Sequence, residues 1–171
     1  MSQHSPGPVQ SGETLARMVC SPMHVHRKRK ELKPSFFDHA FSFGLSVQRL
    51  ERAHDEELSQ LVNGFIGTAE DRVWLGYVQC SCGHLRHLRV ADLDKQLFCV
   101  YDAAEESSPA HAEIGVSHRI SEADQIEYRR ELMRVFGDGV IRSRHTLRDG
   151  TVWFQLSEDV RARPVPQQWL E

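Results

Sequence analysis

Asp55-Glu-Glu-Leu-Ser-Gln-Leu-Val-Asn-Gly-Phe65, followed by Val73-Trp-Leu-Gly-Tyr-Val-Gln-Cys80, sets a helical period directly before a strand-like run. In the first segment Leu58, Leu61, Val62 and Phe65 recur at the spacing of one helix face, which predicts an amphipathic helix with those four residues buried. Asp55, Glu56 and Glu57 place negative charge at its start, where the helix dipole favours it, and Gly67 is the expected stop. The second segment is rich in aromatic and β-branched residues, which suit a pleated, half-buried surface. A helix packed on a sheet follows from the pair.

Outward from this centre, strands outnumber helices. Val73–Cys80 and Leu85–Val90 read as a hairpin closed by Ser81-Cys-Gly-His84. Leu97–Tyr101 and Ala110–Val116 read as further strands, with Glu105–Pro109 a polar loop between them. Ser121 is placed to cap a second helix whose expected buried set is Ile126, Leu132, Met133 and Phe136. Val140–Thr146 and Thr151–Leu156 read as a last hairpin around Arg148-Asp-Gly150. Toward the N-terminus, Gly44-Leu-Ser-Val47 is a turn entering a short strand. Phe36, Phe37, Phe41 and Phe43 are core anchors rather than a base-stacking platform, and Val19–Arg29 reads as a strand. Two helices separated by a block of strands predict an α+β fold, with a mixed or antiparallel sheet and two main amphipathic helices. The expected organisation is a disordered tail over 1–17, one α+β domain over 18–160 and an irregular C-terminal tail over 161–171.

The chain has 171 residues, 40% hydrophobic and 26% charged, with a net charge of -3. That is ordinary globular composition and excludes a polycation. No run approaches the roughly 20 apolar residues of a membrane helix. The opening residues lack the basic and apolar regions of a secretory signal. Cys20, Cys80, Cys82 and Cys99 are then expected to be thiols, and the expected location is the cytoplasm.

Several local patterns bear on chemistry. Pro109-Ala-His-Ala-Glu113 has the His and Glu of a zinc deaminase but no downstream Pro-Cys-x-x-Cys to complete the ligand set, so that reading is rejected. Cys80, Cys82 and His84 have ligand types suited to zinc and form a candidate metal set for a zinc-stabilised adaptor. His24-Val-His-Arg-Lys-Arg-Lys30 is the densest basic run. It suits phosphate contact or weak nucleic-acid binding, or a charged edge strand that resists aggregation. Asp92 and Asp94 read as a solvated turn.

His26-Arg27, Gly44-Leu-Ser-Val-Gln-Arg49 and Ala110-His-Ala-Glu-Ile114 together resemble a group of small, poorly characterised bacterial proteins with an His-Arg / Leu-Ser-Val / His-Ala-x-Ile pattern. That resemblance implies no established activity. Arg27 ending one strand, Ser46 in the next and a following helix with Glu56 and Glu57 also resemble ADP-ribosyltransferases of the RES type. The resemblance implies NAD as co-substrate, with Arg27 on a phosphate, Ser46 on a ribose and a Glu stabilising the oxocarbenium. His111 has no place in that pattern.

The resulting expectation is a cytosolic domain that binds a nucleotide or another phosphorylated ligand. His26 and Arg27 are its candidate binding residues, and His111, Ser46 and Glu113 its catalytic set, with Glu113 placed to orient His111. The alternative is a non-enzymatic interaction module that binds a partner protein in a toxin or phage-defence system.

Overall fold

A computed structural model describes residues 3–26, 31–67, 69, 71–89 and 94–136. The fold is α+β, with a five-stranded antiparallel sheet. In chain order the strands are β1 (Thr14–Ser21), β2 (Val25–His26), β3 (Glu31–Leu32), β4 (Leu45–Arg49), β5 (Val73–Ser81), β6 (Phe98–Asp102) and β7 (His111–Val116). The α-helices are α1 (Asp55–Gly67), α2 (Cys82–His87) and α3 (Glu122–Val135), and a 3-10 helix covers Pro34–Phe41. The sheet runs β5-β1-β4-β7-β6, while β2 and β3 form a separate two-stranded ladder. The chain divides into two compact units: the described residues of Met1–Arg17, Pro34–Ala53 and Gln79–Val140, and those of Met18–Lys33 and His54–Val78.

In the first unit the inward parity of β4 is Leu45, Val47 and Arg49, all buried, and Ile114 of β7 pairs with Leu45. Phe36 and Phe37 of the 3-10 helix are buried, and Phe37 stacks against Phe136 at 5.4 Å between ring centroids. Phe43 is 86% exposed and is not a core anchor; its ring meets His39 edge-on, 6.4 Å between centroids. Ser121 caps α3 as expected, its hydroxyl accepting the Asp124 N–H at 3.3 Å. The buried residues of α3 are Leu132 and Val135, with Phe136 just beyond; Met133 is half-buried and Ile126 is exposed.

The hairpin expected around 81–84 is a helix start instead. β5 runs to Ser81 and α2 begins at Cys82. No side chain caps α2. Its first N–H groups donate to main-chain carbonyls, Cys82 to Glu13 at 2.9 Å and Gly83 to Ser11 at 2.8 Å. These bonds satisfy donors that a helix start otherwise leaves orphaned. Only glycine permits the approach, since a Cβ at position 83 would sit 2.9 Å from the Ser11 oxygen.

The N-terminal expectation is corrected in the same region. Thr14–Arg17 belongs to β1, and Val9 and Glu13 are buried. Nearly every residue of β1 is buried on both faces, so it lacks the alternation that marks a half-buried strand.

In the second unit the strand expected over Val19–Arg29 is broken by a turn at Pro22–His24. Pro22 has no N–H to give a ladder. His24 is buried in the turn, its Nδ1 accepting the Cys20 N–H at 3.0 Å. α1 buries Leu58, Val62 and Ile66, a stripe at intervals of four, whereas Leu61 and Phe65 are half-buried. The helix is as expected and its inward face is rotated. The last hairpin, Val140–Thr146 with Thr151–Leu156, and the tail 161–171 lie outside the described residues.

Candidate functional site

β4 and β7 are antiparallel neighbours in which Ser46 stands opposite Glu113, and Gln48 opposite His111. Side chains alternate along a strand, so Ser46, Gln48, His111 and Glu113 project from one face while Leu45, Val47, Ala112 and Ile114 fill the other. β6 extends the polar face, with Tyr101 opposite Glu113 and Cys99 opposite Gly115. Ser46 is exposed, Tyr101 is 50% exposed, and His111 and Glu113 are half-buried. The face is open.

Ser46 and His111 are diagonal neighbours on it, and Ser46 Oγ lies 2.8 Å from His111 Nε2. The other ring nitrogen, Nδ1, lies 3.1 Å from the Ala103 carbonyl. A carbonyl only accepts, so Nδ1 carries the proton and Nε2 of the neutral ring offers its lone pair to the Ser46 hydroxyl. The relay is Ser46 O–H to His111, and His111 N–H to Ala103. Ala103 also returns its own N–H to the His111 carbonyl at 3.1 Å. This is the arrangement of a hydroxyl beside an oriented base, with a main-chain carbonyl as the orienting group.

The surroundings fix the two strands. Arg17 donates to the Ser46 carbonyl at 2.8 Å and lies over the Phe36 ring. Gln48 Nε2 donates to Ser108 Oγ at 3.3 Å, and the Ser108 carbonyl accepts the His111 N–H at 3.1 Å. Gly115 lets the Tyr101 ring lie across the strand, since a Cβ there would meet the ring at 3.2 Å. Gly44, with φ of 101°, lets the Glu113 carboxylate fold against the turn where a Cβ would collide with it. Burial, and then a hydrogen bond with Cys99, push the Tyr101 phenol above its ordinary pKa.

Three of the residues expected from sequence thus meet on one face: Ser46, His111 and Glu113. The role expected for Glu113 changes, because Ala103 orients His111 while Glu113 faces Ser46 across the ladder. His26 belongs to the second unit, in register with Glu31. Arg27 lies outside the described residues, as do Lys28, Arg29 and Lys30. Cys80 and Cys82 are buried thiols whose pKa values burial pushes upward, and His84 is exposed. Among the described residues no group of three or more His, Cys, Asp or Glu side chains is arranged to hold a metal. No helix among them is long and apolar enough to cross a membrane.

Tyr101, Ala103 and Arg49 were missed by sequence reasoning. Tyr101 carried a usable signal, being an aromatic at the outward parity of its strand. Ala103 acts through its backbone and carries none. Arg49 stands at the inward parity of Leu45 and Val47, which marks a buried charge. Comparison with protein-family models, with curated proteins and with solved structures finds no match.

Proposed function

We propose that the open face of β4, β7 and β6 binds a ribose-bearing, phosphorylated ligand of the nucleotide class, and that Ser46, His111 and Glu113 form its reacting end. The observation that carries this reading is the hydrogen bond between Ser46 and His111, backed by the Ala103 carbonyl. His111 Nε2 is placed to take a hydroxyl proton, and Ser46 to hold a sugar hydroxyl. Tyr101 offers a half-exposed ring on which a base can stack. Glu113, opposite Ser46, supplies a carboxyl group beside the sugar.

This arrangement supports an ADP-ribosyl transfer with NAD as co-substrate. The bond to nicotinamide breaks with its electron pair on the leaving nitrogen. Glu113 stabilises the positive charge that develops at the anomeric carbon, and His111 takes the proton of the attacking hydroxyl. The carboxylate role thereby moves from Glu56 and Glu57, which open α1 in the second unit, to Glu113.

The test is a thermal-shift titration with NAD, ADP-ribose, AMP and inorganic phosphate, paired with a nicotinamide-release assay. Nucleotides are expected to raise the melting temperature of the wild-type protein, and Ser46→Ala with Tyr101→Ala to remove the rise. Absence of a shift with every nucleotide overturns the ligand class. A shift without nicotinamide release keeps the binding site and removes the transferase step.

A further inference from the structure

Arg49 is the last residue of β4, and its side chain is fully buried beside two carboxylates. Each of its five guanidinium N–H groups has an acceptor. Nε donates to Glu13 Oε2 at 2.6 Å, and Nη2 to Glu13 Oε1 at 2.8 Å and to the Pro8 carbonyl at 3.3 Å. Nη1 donates to the Gly7 carbonyl at 2.8 Å and to Asp102 Oδ1 at 3.3 Å. Burying three charged groups is expensive, and a well-packed apolar cluster of similar volume is often as stable or more so. Packing alone does not account for this cluster.

Its position does. Asp102 directly precedes Ala103, whose carbonyl accepts the His111 Nδ1 proton. Among the described residues only Arg49 donates to the Asp102 side chain, and Asp102 Oδ2 is buried with no hydrogen bond. The main-chain N–H of Arg49 donates to the Ala110 carbonyl at 3.0 Å, and Ala110 directly precedes His111. One residue therefore holds both strands of the corner, one through its side chain and one through its backbone. Lysine, with a point charge in place of a planar fork, does not match five acceptors at once.

We infer that Arg49, acting through Asp102 and the Ala103 carbonyl, is a positioning residue that fixes the tautomer and orientation of His111. The group behind the ring decides which nitrogen carries the proton, so a displaced Ala103 carbonyl leaves Nε2 free to take it and closes the lone pair to Ser46. Gly7, Pro8 and Glu13 complete the shell around Arg49, which makes the N-terminal segment part of the site's foundation. The inference rests on the reading of Ser46 and His111 as the reacting end, and its test reads the ring directly.

The experiment is nitrogen NMR of the imidazoles in histidine-labelled full-length protein, with His111 assigned by His111→Gln. The wild-type ring is expected as the neutral Nδ1–H tautomer. In Asp102→Asn, which removes a charge at constant size, and in Arg49→Lys, the two tautomers are expected to approach equal population. An unchanged tautomer in either folded variant overturns the inference, and so does a wild-type ring protonated on Nε2. Failure of both variants to fold assigns Arg49 to the fold alone and likewise overturns it. A redistributed tautomer in a protein that binds no nucleotide leaves the inference standing and removes the ligand class.

Discussion

Glu13 grips Arg49 with both carboxylate oxygens, at 2.6 and 2.8 Å, and the two side chains are 7% and 0% exposed. Replacing Arg49 by Met keeps the volume and leaves two carboxylates buried without their cation. Removing one member of a buried pair costs about 3–5 kcal/mol. Urea unfolding of Arg49→Met should show a loss of that order. A loss within the surface range of about 0.5 kcal/mol would mean that the N-terminal segment does not close over this side chain.

The same pair sets an acid limb. Burial pushes the Glu13 carboxyl up, but hydrogen bonds from Arg49 and the Gln10 N–H, with the charges of Arg49 and Arg52, outweigh it and leave the pKa below the ordinary carboxylate value. A carboxyl depressed on folding contributes stability above its unfolded pKa, about 4.3, and loses it as pH falls through the folded value. Unfolding curves measured from neutral pH downward should therefore weaken below about pH 4, and the Glu13→Gln curve should be flatter there. Equal slopes for both proteins would place the acid sensitivity elsewhere.

On α1 the buried stripe separates two leucines. Leu58 is 1% exposed and Leu61 is half-buried. Leu58→Ala should cost about 2–5 kcal/mol, the range for a buried leucine. Leu61→Ala should cost clearly less in the same denaturation series. Equal losses for the two would restore the face expected from sequence, on which both leucines are buried.

Gly44→Ala meets two obstacles, a φ of 101° and the Glu113 carboxylate in the path of its Cβ. A non-glycine residue held there costs about 1–3 kcal/mol. The melting temperature should fall accordingly, and Gly44→Ala combined with Glu113→Ala should recover part of the loss. No recovery would show that backbone strain alone sets the cost.

Ser46 is exposed, so Ser46→Ala should change stability by no more than about 0.5 kcal/mol while removing nucleotide-induced stabilisation. Thermal melts with and without ligand measure both quantities. Loss of folding would make the serine structural.

The sequence was legible where local pattern and tertiary environment agree. Ser121 caps α3, β4 alternates from Gly44 onward, and Ser46, His111 and Glu113 stand out as polar residues at one parity of neighbouring strands. It misled where tertiary contacts override local preference. Cys82-Gly-His84 resembles a turn, and helix α2 starts there because Ser11 and Glu13 supply carbonyls from far along the chain. Five apolar residues on α1 define a broad stripe, and only packing selects Leu58, Val62 and Ile66 over the expected Leu58, Leu61, Val62 and Phe65. A carbonyl such as that of Ala103 leaves no mark on residue type.

Strand order has a kinetic consequence. Ser46 and His111 are 65 residues apart in the chain, and β4 joins β7 only after β5, α2 and β6 have been made. Pairings of such long range close slowly, because loop entropy is lost before contacts form. A ribosome-bound chain ending before β7 carries Ser46 without His111, so the hydrogen-bonded pair cannot form until β7 has been made.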